Sequence, residues 1–207
     1  MTSASASASH IEKPLLEMGG VRLRAVHDAD LPFLFELSTS FETLHLWDDG
    51  QIETVERRFV EVFLQKANSR TFFIVESIFQ NESSFEPIGL AYFYSLDPIN
   101  EWAYYTIALH PRYVMRGAGY VASLLALEWA FYSWSLHKLY VEILSDNSVA
   151  INTAIRLGFE REAHFTQHRR IAAERFDVDV LALSRQRWVS EFRSRAIERA
   201  KKLNVRS

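Results

Sequence analysis

The chain has 207 residues, 48% apolar and 14% aromatic, which is enough to bury one substantial core, and its net charge is only −3. It contains no cysteine, so a disulfide framework, a thiolate zinc site and a cysteine nucleophile are excluded, and cytoplasm is the default compartment. The charge is unevenly placed: residues 184 to 207 hold eight Lys/Arg against two Glu, a local +6 that leaves −9 on the remainder.

Residues 1 to 18 open on an alternation of Ser and Ala with no basic or apolar region of a secretory signal, and read as a disordered tail. Val21 to Val26 alternates apolar with polar as a first strand, after which Asp28 or Asp30 can cap a short helix carrying Leu31, Phe33, Leu34 and Leu37. From Ile52 to about Asn68, Val55, Phe59, Val62 and Phe63 mark one face of an amphipathic helix. Thr71 to Ser77, Ile88 to Leu96 and Trp102 to Leu109 are rich in branched and aromatic residues, and the short polar segments between them suit antiparallel hairpins.

After Pro111 the period changes, and residues 119 to 136 form a helix apolar on most faces. Its longest apolar run, Tyr120 to Trp134, is broken by Ser123, Glu128 and Ser133 and is too short to span a bilayer, so the helix belongs in the interior and no membrane partner is expected. Lys138 to Leu144 follows as a strand. A helix from about Asn147 to Leu157 then carries Ala150, Ile151, Ala154 and Ile155 on one side and ends at Gly158, suited to a left-handed cap. A final hairpin closes with Phe176 to Leu183.

Beyond Ser184, Trp188, Phe192, Ala196, Ala200 and Leu203 form a stripe on a basic helix. The stripe suits docking onto the domain or onto a mate in a homodimer, and without a recognised motif nucleic-acid binding is disfavoured. The expected organisation is a tail (1–18), a mixed α/β domain (19–188) and a basic C-terminal helix (189–207).

Chemistry concentrates in Arg116-Gly117-Ala118-Gly119-Tyr120-Val121, which follows a strand and opens a helix. Amides there lack intrahelical partners and lie at the positive end of the helix dipole, an arrangement that binds phosphate. Gly117 and Gly119 allow close approach to the main chain, and Arg116 adds charge. Read on to Ala122, the same residues fit the G-x-G-x-x-A pattern of a dinucleotide-dependent oxidoreductase. Position argues against that rival, because such a fingerprint follows the first strand of a parallel sheet, whereas here four predicted strands precede it.

The chain resembles the GNAT superfamily, in particular the branch of ribosomal-protein N-terminal and spermidine acetyltransferases, over roughly residues 21 to 188. The marks are Leu23-Arg24 with Asp30, the Ala103 to Pro111 strand, Arg116-Gly117-Ala118-Gly119, Asp146-Asn147-Ser148 leading to Arg156-Leu157-Gly158-Phe159, and Asp179 before Trp188. The resemblance implies an α/β fold with a mixed, mostly antiparallel central sheet flanked by helices, and a splayed strand before the pyrophosphate loop of the coenzyme. It implies acetyl-CoA as donor, its pantetheine arm along Ile107 to Leu109, its pyrophosphate on residues 116 to 121, and a contact from Asn147. Val121 stands where the family has Gly or Ala, and two extra residues lie between Pro111 and Arg116.

The implied reaction is attack of a neutral amine on the thioester, which needs a proton acceptor and an NH donor for the oxyanion; the amide near Leu109 is the natural donor. Where many relatives place Glu after the strand's Ala this chain has Tyr104, and where others place a proton-donating Tyr it has Ala154. Glu101 and His110 stand beside Tyr104 as alternatives, and a CoA-binding module without catalysis is the reading those replacements would support. Eight acids and no Lys or Arg lie between Asp28 and Glu56, and Leu46-Trp47-Asp48-Asp49 resembles an aromatic-acidic stretch of spermidine acetyltransferases. Trp47, Asp48 and Asp49 are thereby expected to contact the acceptor: a small cationic metabolite, an amino sugar or a protein N-terminus. His164, His168 and Arg169 make no metal-ligand pattern, and no metal is expected.

Overall fold

A computed structural model describes residues 16–39, 56–78, 84–114, 117–171 and 173–203. Strands β1 (Glu17–Met18), β2 (Val21–Ala25), β3 (Thr71–Ser77), β4 (Glu86–Asp97), β5 (Trp102–Leu109), β6 (Lys138–Leu144), β7 (Glu160–Ile171) and β8 (Glu174–Ser184) build one sheet in the order β1-β2-β3-β4-β5-β6-β8-β7. Neighbours run antiparallel except β5 and β6. Short links make β3, β4 and β5 hairpins, whereas a whole helix between β5 and β6 returns the chain in the same direction.

The helices are α1 (Leu31–Thr39), α2 (Glu56–Ala67), α3 (Ala118–Ser133), α4 (Ser148–Arg156), the short α5 (Arg185–Arg187) and α6 (Arg193–Lys202), the last two joined by a π-helical turn, Trp188–Phe192. Strand alternation gives the sheet two apolar faces. One packs Val75, Phe93, Tyr105, Leu139 and Leu181 against α3. The other packs Ile74, Leu90, Tyr92 and Ala108 against Leu34 and Leu37 of α1 and Phe59 and Phe63 of α2. Among the described residues no helix is long and apolar enough to cross a membrane.

Three local expectations are corrected. Asp30 is not the N-cap of α1: it stands at the third position of a 3-10 turn capped at His27, accepts from the His27 amide (2.8 Å) as in a capping box, and also takes both arms of the Arg24 guanidinium (2.6 and 2.7 Å). The charge-assisted bidentate pair is the stronger of the two attachments. Helix α3 ends at Ser133 because Trp134 is extended, although Leu136 beyond it is still buried. On α4, Ile155 is 51% exposed while its neighbour Ala154 is buried, since this short helix packs along a narrower stripe than the apolar residues suggest. The second helix is described only from Glu56, and residues 52 to 55 lie outside the described residues.

The basic stripe docks onto its own domain. Trp188, Ala196 and Ala200 belong to the core against α3, with Phe192 and Leu203 at its margin. Glu128, buried within α3, would be costly alone; Arg193 of α6 answers it with two bonds of 2.8 Å. The tail is also seated on the end of α4. Gly158 adopts φ +100°, and a Cβ there would lie 2.5 Å from the ring of Phe192. Gly158→Ala adds backbone strain to that overlap, and is expected to cost about 2 kcal/mol or more in urea denaturation. An unchanged unfolding midpoint would contradict the seating of Phe192 on this turn.

Candidate active site

Strands β5 and β6 pair only at Trp102 with Lys138, Ala103 with Leu139 and Tyr104 with Tyr140. Past these, β5 stays with β4 as far as Leu109, and β6 stays with β8 as far as Leu144. A cleft of about 890 Å³ opens between them, walled by Tyr105 to Ile107 and Leu109, Val141 to Leu144, the first turns of α3, and α4.

The open edge of β5 is polar. The His110 amide donates to the Ile88 carbonyl (2.8 Å) with Gly89 opposite Leu109, which puts Leu109 at a position whose own NH and C=O face away from β4. The register is regular back to Tyr105, so Ile107 and Tyr105 present their main-chain groups to the same side. A ligand carrying amide groups can add here as a strand would.

The rear of the cleft is the N-terminus of α3. Gly117 caps it with φ +80°, a conformation that favours glycine. Tyr120 and Val121 donate their amides to the Gly117 carbonyl (3.1 and 3.2 Å), so the forward-pointing donors of the first turn are Ala118 and Gly119. At Gly119 a Cβ would meet nothing closer than Leu109 Cδ1 at 3.5 Å, an ordinary contact; the protein's own packing does not require glycine there, and its bareness leaves room on the cleft side.

Tyr120 is only 7% exposed, and its hydroxyl is buried without a hydrogen-bond partner. Burial raises its pKa, against which the nearby guanidiniums of Arg199 and Arg156 act. An orphaned buried hydroxyl is costly until a ligand or water meets it. Asn147 caps α4, its Oδ1 accepting from the Ala150 amide (3.1 Å), which leaves the Nδ2 donor for whatever occupies the cleft.

An acetyltransferase (GNAT) domain matches the sequence over residues 21–160. The chain belongs to the GNAT acetyltransferase family. Its fold is similar to spermidine N-acetyltransferase from Vibrio cholerae solved in complex with CoA and spermine, at a TM-score of 0.75 and 21% identity over 83% of this chain and 99% of that one. A dodecameric structure of spermidine N-acetyltransferase from Vibrio cholerae in an intermediate state gives a TM-score of 0.71 at 21% identity, over 83% of this chain and 97% of that one. No curated protein matches the sequence.

As a GNAT enzyme the protein uses acetyl-CoA as donor, and the cleft fits it. The open β5 edge would meet the amide-bearing arm; the Ala118 and Gly119 amides, with the Tyr120 hydroxyl, would meet phosphate. The oxidoreductase reading falls, because a dinucleotide fold needs several parallel βα units and this sheet has one parallel pair.

Leu109, Gly117, Gly119, Tyr120 and Asn147 converge on the cleft. Ala118 and Val121 have buried side chains, and that of Val121 packs into the core, which is why a branched residue is tolerated where the family has Gly or Ala. Arg116, Trp47, Asp48 and Asp49 lie outside the described residues.

Glu101 is not brought to the cleft. It sits at φ +59° before β5, its carbonyl accepting from the amides of His137 (2.7 Å) and Lys138 (3.2 Å), at the closed end of the fork. Tyr105 is four extended residue steps farther on, on the order of 13 Å away. His110 is absent from the lining: its Nδ1 accepts from the Arg112 amide (3.4 Å) and its Nε2 lies 3.7 Å from Glu36. Tyr104 stands at the fork, stacked between Tyr94 (5.4 Å) and Tyr140 (5.2 Å). Burial, then the charge of Glu142, raises its pKa, so its hydroxyl keeps its proton.

Glu142, Arg156, Arg169 and Arg199, to none of which the sequence assigns a role at the site, also line the cleft. Glu142 projects just past the last paired residue of β6, and Arg169 of β7 donates to it at 3.4 Å. Its signal is present in the sequence: from Lys138 to Leu144 the residues of one parity run Lys138, Tyr140 and Glu142 before Leu144, a polar set interleaved with Leu139, Val141 and Ile143. Gly119→Asp puts a carboxylate beside the forward amides of α3, and we expect CoA affinity to fall about tenfold or more with the thermal midpoint little changed. Isothermal titration showing wild-type affinity would remove Gly119 from the site.

Proposed function

We propose that this GNAT enzyme acetylates a primary amine of a small cationic metabolite of the polyamine class, with Glu142 accepting the amine proton. One observation carries the reading: a row of aromatic rings crosses the fork on the face opposite α3, and the Glu142 carboxylate stands at its end inside the cleft. Tyr92, Tyr94, Tyr104 and Tyr140 follow one another at centroid distances of 5.2 to 5.7 Å, with Trp102 edge-on to the last two.

An alkyl amine is an ammonium ion at neutral pH, and ring faces attract cations. The row already does so within the protein, Arg70 lying over Tyr92 and Tyr94 and Lys138 over Tyr140. A carboxylate beside the rings holds the ammonium and then takes its proton, directly or through one water, which frees the nitrogen lone pair to form the C–N bond; the C–S bond then breaks and the coenzyme leaves as a thiol carrying the second amine proton. The Leu109 amide serves as donor to the developing oxyanion; its direction away from β4 supports this role.

Glu142 also answers the missing family Glu at Tyr104, so a coenzyme-binding module without catalysis loses its motive. The acidic stretch contributes less to the reading than its composition suggested. Asp30 is committed to Arg24, Glu36 faces His110 and Arg112, and Glu42, Asp48, Asp49 and Glu53 lie outside the described residues. The similar structures are of spermidine N-acetyltransferases, one of them in complex with CoA and spermine, which agrees with the class inferred from the aromatic row.

The test is a thiol-release screen over polyamines, amino sugars, amino acids and N-terminal peptides. Polyamines are expected to turn over fastest, and Glu142→Gln to lower kcat about 100-fold while CoA affinity by titration stays at the wild-type value. A preference for neutral amines, or an undiminished kcat in that variant, refutes the assignment.

A further inference from the structure

We propose that the C-terminal helix α6 is the outer wall of the coenzyme site, its Arg199 donating to a phosphate of the coenzyme and its Leu203 covering the Gly117 turn. The inference rests on reading the cleft as the coenzyme site. It concerns a segment beyond residue 160, where the family match ends.

Four observations carry it. Arg199 and Leu203 line the same cleft as Gly117, Gly119 and Tyr120. The Arg199 guanidinium carbon lies 5.8 Å from the centroid of the Tyr120 ring, next to the residue whose buried hydroxyl has no partner. A Cβ at Gly117 would meet the Leu203 side chain at 3.5 Å, so Leu203 lies directly over the turn that exposes the forward amides. Finally, the helix cannot slide freely, since Ala196 and Ala200 are at most 1% exposed in the core and Arg193 is bonded to Glu128.

Within the tail, Arg187 is paired with Glu160, Arg193 with Glu128 and Lys201 with Glu198. Of the tail cations without a salt-bridge partner among the described residues, Arg185, Arg195, Arg199 and Lys202, Arg199 alone lines the cleft. Arg156, at the end of α4, lines the cleft in the same unpaired condition. Two unpaired guanidiniums beside an orphan hydroxyl and two outward amides form a receptor for a multiply charged phosphate group, and an anion there gains from all of them at once. A packed helix is a suitable carrier, because a side chain fixed on a docked helix loses less freedom on binding than one on a mobile tail.

The experiment is isothermal titration of the full chain with CoA and with dephospho-CoA, which lacks the 3′-phosphate, comparing wild type, Arg199→Ala and Arg195→Ala. Arg195 is exposed on the same helix and outside the cleft lining, so it reports the general effect of removing one tail charge. Arg199→Ala is expected to weaken CoA binding about tenfold and Arg195→Ala to stay within about twofold. If the Arg199→Ala loss persists with dephospho-CoA, the arginine meets the diphosphate; if it vanishes, the 3′-phosphate. Equal CoA affinity in wild type and Arg199→Ala overturns the proposal, as does an equal loss in Arg195→Ala. Wild type that fails to bind CoA would instead overturn the coenzyme reading of the cleft, and this inference with it. Should Arg199→Ala fold poorly by thermal melt, Arg199→Gln replaces it in the same comparison.

Discussion

The site depends on the parting of β5 and β6. Each strand has two neighbours to satisfy, and past the Tyr104–Tyr140 pair each follows its antiparallel neighbour instead of the other. On the β5 side the attachment is tight: a Cβ at Gly89 would sit 2.3 Å from the Ala108 carbonyl and 2.7 Å from Leu109 Cδ2, so glycine lets β4 hold the end of β5 close. On the β6 side, seven consecutive pairs bind it to β8. Three parallel pairs cannot keep two such strongly held strands together as the sheet twists. The resulting gap exposes main-chain donors and acceptors that must be met by water or by a ligand.

A gap is useful only if its walls are fixed, and α3 supplies the fixed wall. Apolar on nearly every side, it is buried along most of its length, so its N-terminal amides are aimed by the core rather than by a surface loop. The one acid in its interior, Glu128, ties it to α6 through Arg193. Stability and site geometry are thus linked through the same residues. The segment that lends Arg193 to the core also carries Arg199 and Leu203 to the cleft.

What the sequence made legible follows from the range of the interactions involved. Thr71–Ser77, Trp102–Leu109 and Lys138–Leu144 were readable to the residue, because alternation and the flanking turns are local properties. Gly117 was readable as the start of a helix for the same reason. Asp30 is legible as a capping residue but not as the partner of Arg24, because spacing alone does not reveal a tertiary pair. Glu142 was overlooked because its importance lies in which strand leaves which: on a continuous sheet it would be one more edge-facing acid. His110 shares the parity of Tyr104 and Glu101 has the opposite one, yet neither reaches the cleft: one is taken up in a turn and the other lies at the closed end of the fork. The tail's excess charge was plain in composition, but its meaning required knowing which of its cations the domain had already neutralised.

The two ends of the cleft therefore answer opposite electrostatic problems with different chemistry. At the α3 end the ligand is expected to be anionic, and the protein offers orphan amides, a hydroxyl and unpaired guanidiniums around a glycine turn. At the fork the acceptor is expected to be cationic, and the protein offers ring faces and a carboxylate whose Arg169 contact, at 3.4 Å, is loose enough to be exchanged for an incoming ammonium. Each charge type would be repelled from the wrong end. The cleft can thus orient two unlike substrates head to head without enclosing either, leaving the thioester carbonyl and the amine to meet where β5 and β6 part, beside the outward amide of Leu109.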